Sequence, residues 1–377
     1  MLSLANTISS SGSAHEQMYS LFLDGDSDYL DIGDNLDFGT NDFAISLWFK
    51  QDAAATSSEL LFSKHQDTNN KINIVLNSSN KIQANITADS NDVFASAGGA
   101  ALEGDGGYWI HVVLTCDRDG DTKLYINGTT STYGVSASSV NSSQNLNNSA
   151  SIFIGARSNS SLYFPGKIDE VAIWQAADLS DFDSDAVQAI RNGGDPFDLN
   201  YDRGDYHHSA SLTGYWRMFN GPFDDLQNGV VHDAHNPGYG SELVTSWTNV
   251  DFDTFTSSGS NITQMDSGAS GDNCYASATI TRGKTYKLQF TCSDNITGQV
   301  RISPNTNLTS AQTALSNPRA GLNTAYFAAD TNYSYIGFYA ASTFSDVQIS
   351  SFTLKELNGY PGLTSGTATF SANTPDD

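Results

Sequence analysis

Gly166-Lys167-Ile168-Asp169-Glu170-Val171-Ala172-Ile173-Trp174 decides how this chain of 377 residues is read. It is a strand-like run set among other strand-like runs. Upstream lie Trp109-Ile110-His111-Val112-Val113-Leu114-Thr115 and Lys123-Leu124-Tyr125-Ile126-Asn127-Gly128. Further upstream are Phe22-Leu23-Asp24-Gly25-Asp26-Ser27-Asp28-Tyr29-Leu30 and Ile45-Ser46-Leu47-Trp48-Phe49-Lys50. Period-2 alternation recurs in Tyr19-Ser20-Leu21-Phe22-Leu23, Ile72-Asn73-Ile74-Val75-Leu76 and Ser151-Ile152-Phe153-Ile154-Gly155. Such alternation between Asn, Gly, Asp and Ser turns predicts antiparallel strands with one buried face. Trp48, Trp109 and Trp174 are expected to fill the space between two sheets, since aromatic side chains bury the most area. Residues 181–194 read as one short helix, with an Asp/Ser start and a glycine stop.

In this order and spacing, the five segments resemble the laminin-G-like/pentraxin-like group of concanavalin-type β-sandwiches, over residues 17–195. The resemblance implies a fold that binds glycans or proteins more often than it catalyses, with calcium at the rim in several members. Residues 241–357 form a second all-β unit, from Glu242-Leu243-Val244 and Trp247 to Ile349–Leu354. Its pattern resembles carbohydrate-binding jelly rolls. The expected fold class is therefore all-β: two antiparallel β-sandwich (jelly-roll) domains in tandem and one short helix. Residues 1–16 read as an N-terminal arm. Residues 196–240 are a bridge whose Leu212-Thr213-Gly214-Tyr215-Trp216 strand folds back to complete the first sandwich, and 358–377 are a C-terminal tail.

Composition narrows the function. Charged residues are only 16% of the chain, and the net charge is -25. No basic patch is visible to neutralise phosphates, so nucleic acid is not an expected partner. No run of 18 apolar residues exists, so no membrane insertion is expected. The first ten residues lack a basic and an apolar region and do not read as a signal peptide. A protein released by lysis, such as a virion component, fits that start. Cys116 ends an apolar strand and reads as a buried thiol. Cys274 and Cys292 do not make a disulfide framework, although a bond between them is open to the sequence.

Calcium is the candidate cofactor. Asp24, Asp26, Asp28 and Asp31 cluster around one turn, and the resemblance allows Asp169 to approach it; Asp24, Asp26 and Asp169 are the candidate ligands. For glycan binding, aromatic stacking points to Tyr163, Trp247 and Tyr333, chosen from a wider set that includes Tyr108, Tyr133, Phe164 and Tyr239. Retaining glycoside hydrolysis needs two carboxylates about 5–5.5 Å apart. Glu170 has Ala172 rather than an acid two positions on, and no Glu-x-Asp-x-x-Glu string exists. No enzyme is expected. His207, His208, His232 and His235 lack a metal-binding frame and read as polar loop residues.

The layout, including Asn358-Gly359-Tyr360-Pro361-Gly362, resembles laminin-G-containing virion proteins of tailed phages, marine ones especially. The expected function is a non-catalytic virion structural protein on the particle surface, as capsid decoration or a tail or fibre component, adhering to host glycans. Its expected partners are other virion proteins, copies of itself and host surface glycans. The alternative is a glycan-binding, lectin-like protein of a cell.

Overall fold

A computed structural model describes residues 19–89, 91–95, 100–101, 107–130, 144–157, 161–221 and 223–375. The expected arm 1–16 and Tyr133 lie outside the described residues.

Pro165–Ala176, the strand that holds the deciding stretch, sits near the middle of the first sheet. The order there is Thr129–Thr130, Thr122–Ile126, Ile110–Cys116, Asp42–Gln51, Pro165–Ala176, Ser20–Asp24 and Thr369–Ser371, with Leu212–Trp216 also on Pro165–Ala176. The facing sheet runs Val230–Val231, Gly362–Ser365, Tyr29–Gly33, Ile152–Ile154, Glu59–Asp67, Asn70–Leu76, Lys81–Ala88 and Asn91–Ala95. All pairings are antiparallel. Ile45, Leu47, Phe49, Val112 and Leu114 meet Leu30, Ile72, Ile74 and Ile86 in the core between the sheets. The first fold expectation holds: an all-β chain of stacked antiparallel sheets with one short helix.

Parity decides where the tryptophans go. Since Ile45, Leu47 and Phe49 face the core, Ser46 and Trp48 face outward. Trp48 stacks on His111 there, with ring centroids 4.7 Å apart. In the partner strand a bulge between Asp169 and Ala172 shifts the register by one residue, and Glu170 takes φ 49°. The extra residue flips the alternation, so Ile168, Val171 and Ile173 all face the core and Trp174 faces outward. Trp174 packs instead with Phe182, Tyr206 and the helix Ser184–Arg191 on the outer face. Trp109 is half-buried and donates its indole N–H to Asn373 Oδ1. The expectation that these three tryptophans fill the inter-sheet space is therefore corrected. Trp216 fills it, with Phe38, Phe43, Phe49, Phe62 and Phe164.

The helix starts where Asp183 accepts N–H bonds from Asp185 and Ala186, and it ends at Asn192 in the left-handed region.

The second sandwich pairs a sheet of Thr254–Ser258, Asn261–Ser267, Phe344–Leu357, Thr285–Cys292 and Gly321–Ala328 with one of Thr248–Asn249, Asn273–Ile280, Tyr333–Ala340, Gly298–Ser303 and Gln312–Ser316. Leu288, Phe290, Ile336, Phe338, Phe352 and Leu354 are central to its core. Cys116, Cys274 and Cys292 are all buried free thiols.

Within the expected tail 358–377, the described residues 358–375 are not a tail. Gly362–Ser365 pairs with Tyr29–Gly33 and Val230–Val231, and Thr369–Ser371 pairs with Ser20–Asp24. Backbone groups left open on two edges of the first sandwich attract these last strands. The second sandwich is thus inserted within the first. Two chain passages join them, and side chains add to the junction. The Tyr326 hydroxyl donates to Asp225 Oδ2 at 3.0 Å. A crevice of about 320 Å³, lined in part by Asp31, Gly33, Arg282, Gly283 and Asp330, marks the same junction.

Candidate functional site

The acidic turn works as a clamp. Asp24 Oδ1 accepts the backbone N–H of Asp26 at 2.8 Å and of Ser27 at 3.2 Å, which holds its carboxyl below the usual range. Asp28 is buried and accepts the N–H of Asp24 and of Thr367. Asp169 is far from this turn. Asp24 lies opposite Pro165, and Asp169 is four residues further along that strand, opposite Trp48. At about 3.3 Å per residue this is a separation of about 13 Å. Its Oδ1 accepts the N–H of Glu170 at 2.8 Å. The expectation of a calcium site built by Asp24, Asp26 and Asp169 is corrected on this geometry. Among the described residues no group of three His, Cys, Asp or Glu gathers to hold a metal.

Glu170 is also committed. It is 2% exposed, takes the Tyr215 hydroxyl proton donor on Oε2, and faces Arg217 Nε at 3.4 Å. This network ties the returning strand Leu212–Trp216 to the bulge. His208 and His232 are buried rather than looped in solvent; His208 stacks on Phe182 at 4.6 Å. Their aromatic neighbours make an imidazole a filler of apolar space.

Two of the three glycan candidates are core residues. Trp247 is 7% exposed among Phe338 and Phe352 and donates to Ser260 O. Tyr333 is 6% exposed and donates its hydroxyl to Asp330. Neither ring offers a face to a sugar, and both assignments are corrected. Tyr163 is half-buried and joins a run of rings on the first sandwich: Tyr29 stacks on Phe153 at 4.2 Å and on Tyr163 at 6.4 Å.

The sequence reading missed the outer face of the five-stranded sheet. In Tyr335-Ile336-Gly337-Phe338-Tyr339, Ile336 and Phe338 enter the core, so Tyr335, Gly337 and Tyr339 face out. Tyr275 lies opposite Gly337 on one neighbouring strand and Arg301 on the other. Tyr275 and Tyr335 meet edge to face at 5.1 Å. The Arg301 guanidinium lies 3.6 Å from the Tyr339 ring centroid. It donates from Nε to Gln299 Oε1 at 2.7 Å and from Nη1 to Leu308 O at 3.3 Å. Glycine is required at 337, because an added Cβ would stand 2.1 Å from Cys274 O and 2.6 Å from Leu308 Cδ1. The buried Leu308 side chain therefore forms the floor of the face. Three half-exposed tyrosines, a flat guanidinium and a planar amide around an apolar floor can stack on sugar C–H faces and bond sugar hydroxyls. The alternation in both strands was the available signal.

Residues 24–180 match the family model of the concanavalin A-like lectin/glucanases superfamily, laminin G type. That stretch, less than half of the chain, is similar to laminin G-like, concanavalin-like domains. No curated protein matches the chain. Similar solved structures include domain 4 of AbnA, a GH43 extracellular arabinanase from Geobacillus stearothermophilus, in complex with arabinotriose. It is 22% identical over 42% of this chain and 70% of that one, with a TM-score of 0.32. The SAP-like pentraxin of Limulus polyphemus is 13% identical over 46% and 82%, with a TM-score of 0.33. The CBM40 of the Ruminococcus gnavus IT-sialidase is 13% identical over 43% and 96%, with a TM-score of 0.31. Among the described residues no helix is long and apolar enough to cross a membrane.

Proposed function

We propose that this chain is a non-catalytic glycan-binding protein whose ligand face is the outer face of the five-stranded sheet in the second sandwich. One observation carries the reading. Tyr275, Tyr335 and Tyr339 stand half-exposed on that face around Gly337, with Arg301 laid flat on Tyr339. Rigid aromatic rings beside planar donors are what a sugar needs to be held by stacking and by directed hydrogen bonds. The concanavalin-like first sandwich supports a lectin-type role by analogy of fold, which by itself does not fix function.

The setting we propose is a phage virion, with the protein on the particle surface, partnered by other virion proteins and copies of itself and adhering to host glycans. The order of segments and the acidic, low-charge composition support this setting. A glycan array with the intact chain and with Tyr335→Ala and Tyr339→Ala tests the binding. Glycan signals lost in both variants are expected; binding that survives both sinks the assignment of this face. Mass spectrometry of purified particles tests the setting. Recovery only from cell fractions would favour a cellular lectin.

A further inference from the structure

We propose that the tyrosine face takes a glycan bearing an anionic group, a carboxylate or a sulfate, and that Arg301 is the residue that reads it. The proposal rests on the glycan reading of that face and adds the ligand's charge.

The five strands of this sheet, 248–249, 273–280, 298–303, 312–316 and 333–340, contain a single charged residue, Arg301. The chain has 42 acidic side chains against 17 Lys and Arg. In such a chain a half-buried arginine has many carboxylates to choose from. Arg301 has none among the described residues: its partners are the Gln299 amide oxygen, the Leu308 carbonyl and the Tyr339 ring. A guanidinium carries five N–H donors. Two are used here, so one on Nη1 and both on Nη2 remain.

The group is also held in place before any ligand arrives. Gln299 fixes its Nε edge, Leu308 O fixes one Nη1 hydrogen, and Tyr339 fixes its plane. A pre-set planar fork loses little freedom on binding and matches two oxygens of a carboxylate or sulfate. Hydrogen bonds to an ionised acceptor are roughly twice as strong as those between neutral groups, so the acid form of a sugar gains over its neutral counterpart. The net charge of -25 acts against densely charged polymers at low salt. Isolated anionic substituents among neutral sugars are the favoured pattern.

The test is isothermal titration of the full chain with matched pairs of oligosaccharides. One pair is a uronic-acid-containing oligosaccharide and its carboxyl-reduced form; the other is a sulfated oligosaccharide and its desulfated form. The anionic member of at least one pair should bind about tenfold tighter, equivalent to about 1.4 kcal/mol. The pair that shows the difference identifies the group. Arg301→Gln should erase the preference, bringing the affinities of the two members to within about twofold of each other. Leu308→Ala disturbs the floor without removing charge and should keep the preference. Equal binding of both members, or a preference that survives Arg301→Gln, overturns the proposal while the glycan reading stands. A preference lost in Leu308→Ala as well as in Arg301→Gln also overturns it, because the floor rather than the charge would be responsible. Absence of binding to every member, with no response to Tyr335→Ala, overturns both.

Discussion

The Asp28 carboxylate accepts the backbone N–H of Thr367, a residue 339 positions later in the chain. With Asp24 Oδ2 facing the Thr367 hydroxyl at 3.4 Å, it pins the last strands onto the first hairpin of the fold.

Removing that carboxylate should loosen the chain's closing segment. Asp28→Ala leaves the N–H groups of Asp24 and Thr367 without their buried acceptor, at about 1–3 kcal/mol. Urea unfolding followed by tryptophan fluorescence measures this; an unchanged midpoint would mean the clamp contributes nothing.

Gly337→Ala tests the floor of the tyrosine face. Its Cβ would collide with the Cys274 backbone at 2.1 Å and with Leu308. Overpacking of this kind costs about 1–3 kcal/mol. Thermal unfolding of the second sandwich should shift down, and glycan titration should weaken with it. A variant as stable as the parent would contradict the described packing.

The pH dependence of stability follows from four buried groups. Burial raises the Asp224 and Glu59 carboxyls to about 7 from their ordinary 3.8 and 4.5. In the folded chain they hold protons that the unfolded chain has released, so their contribution is lost as pH rises toward 7. Burial lowers His232 to about 4 and His111 to about 3, from 6.5. These stay neutral while the unfolded chain takes up protons, so their contribution is lost as pH falls below 6.5. From pH 8 to 6.5 only the carboxyls change, and stability should rise. Below about pH 3.8 the carboxyl gain is complete, while His111, lowered to about 3, still costs stability, which should fall. Asp224→Asn should flatten the upper slope in denaturant titrations run from pH 6 to 8. An upper slope of the same steepness would remove Asp224 from this account.

Coupling of the two sandwiches is also testable. Tyr326→Phe deletes the hydroxyl that bonds Asp225 across the junction, at about 0.5–1.5 kcal/mol. Calorimetry should show the unfolding of the two sandwiches further apart in temperature in the variant than in the parent. An unaltered trace would place the coupling in the two chain passages alone.

Much of the fold was legible because period-2 alternation is a local property. The strands at 42–51, 110–116 and 285–292, and the helix with its Asp183 cap, follow from it. What failed was long-range. One extra residue at Glu170 reverses which side Trp174 faces, and no local pattern announces a bulge. The return of residues 362–371 to the first sandwich depends on edges built some 330 residues earlier. The site suffered from the same limit. Trp247 and Tyr333 are aromatic residues near turns, but burial depends on the opposing sheet. Tyr335, Tyr339 and Arg301 were readable by counting alternate positions from Ile336 and Val300.

Insertion of one sandwich within another also sets an order of assembly. On a ribosome, the first sandwich's middle strands emerge early, yet one edge of each of its sheets stays open until residues 362–371 appear. The inserted sandwich has most of its pairings within 241–357 and can close first. During that interval Ser20–Asp24 and Tyr29–Gly33 present unpaired backbone, the form in which strands join the wrong neighbour. A chain cut short before residue 362 would carry those open edges permanently, and its characteristic failure would be aggregation through the first sandwich rather than loss of the second.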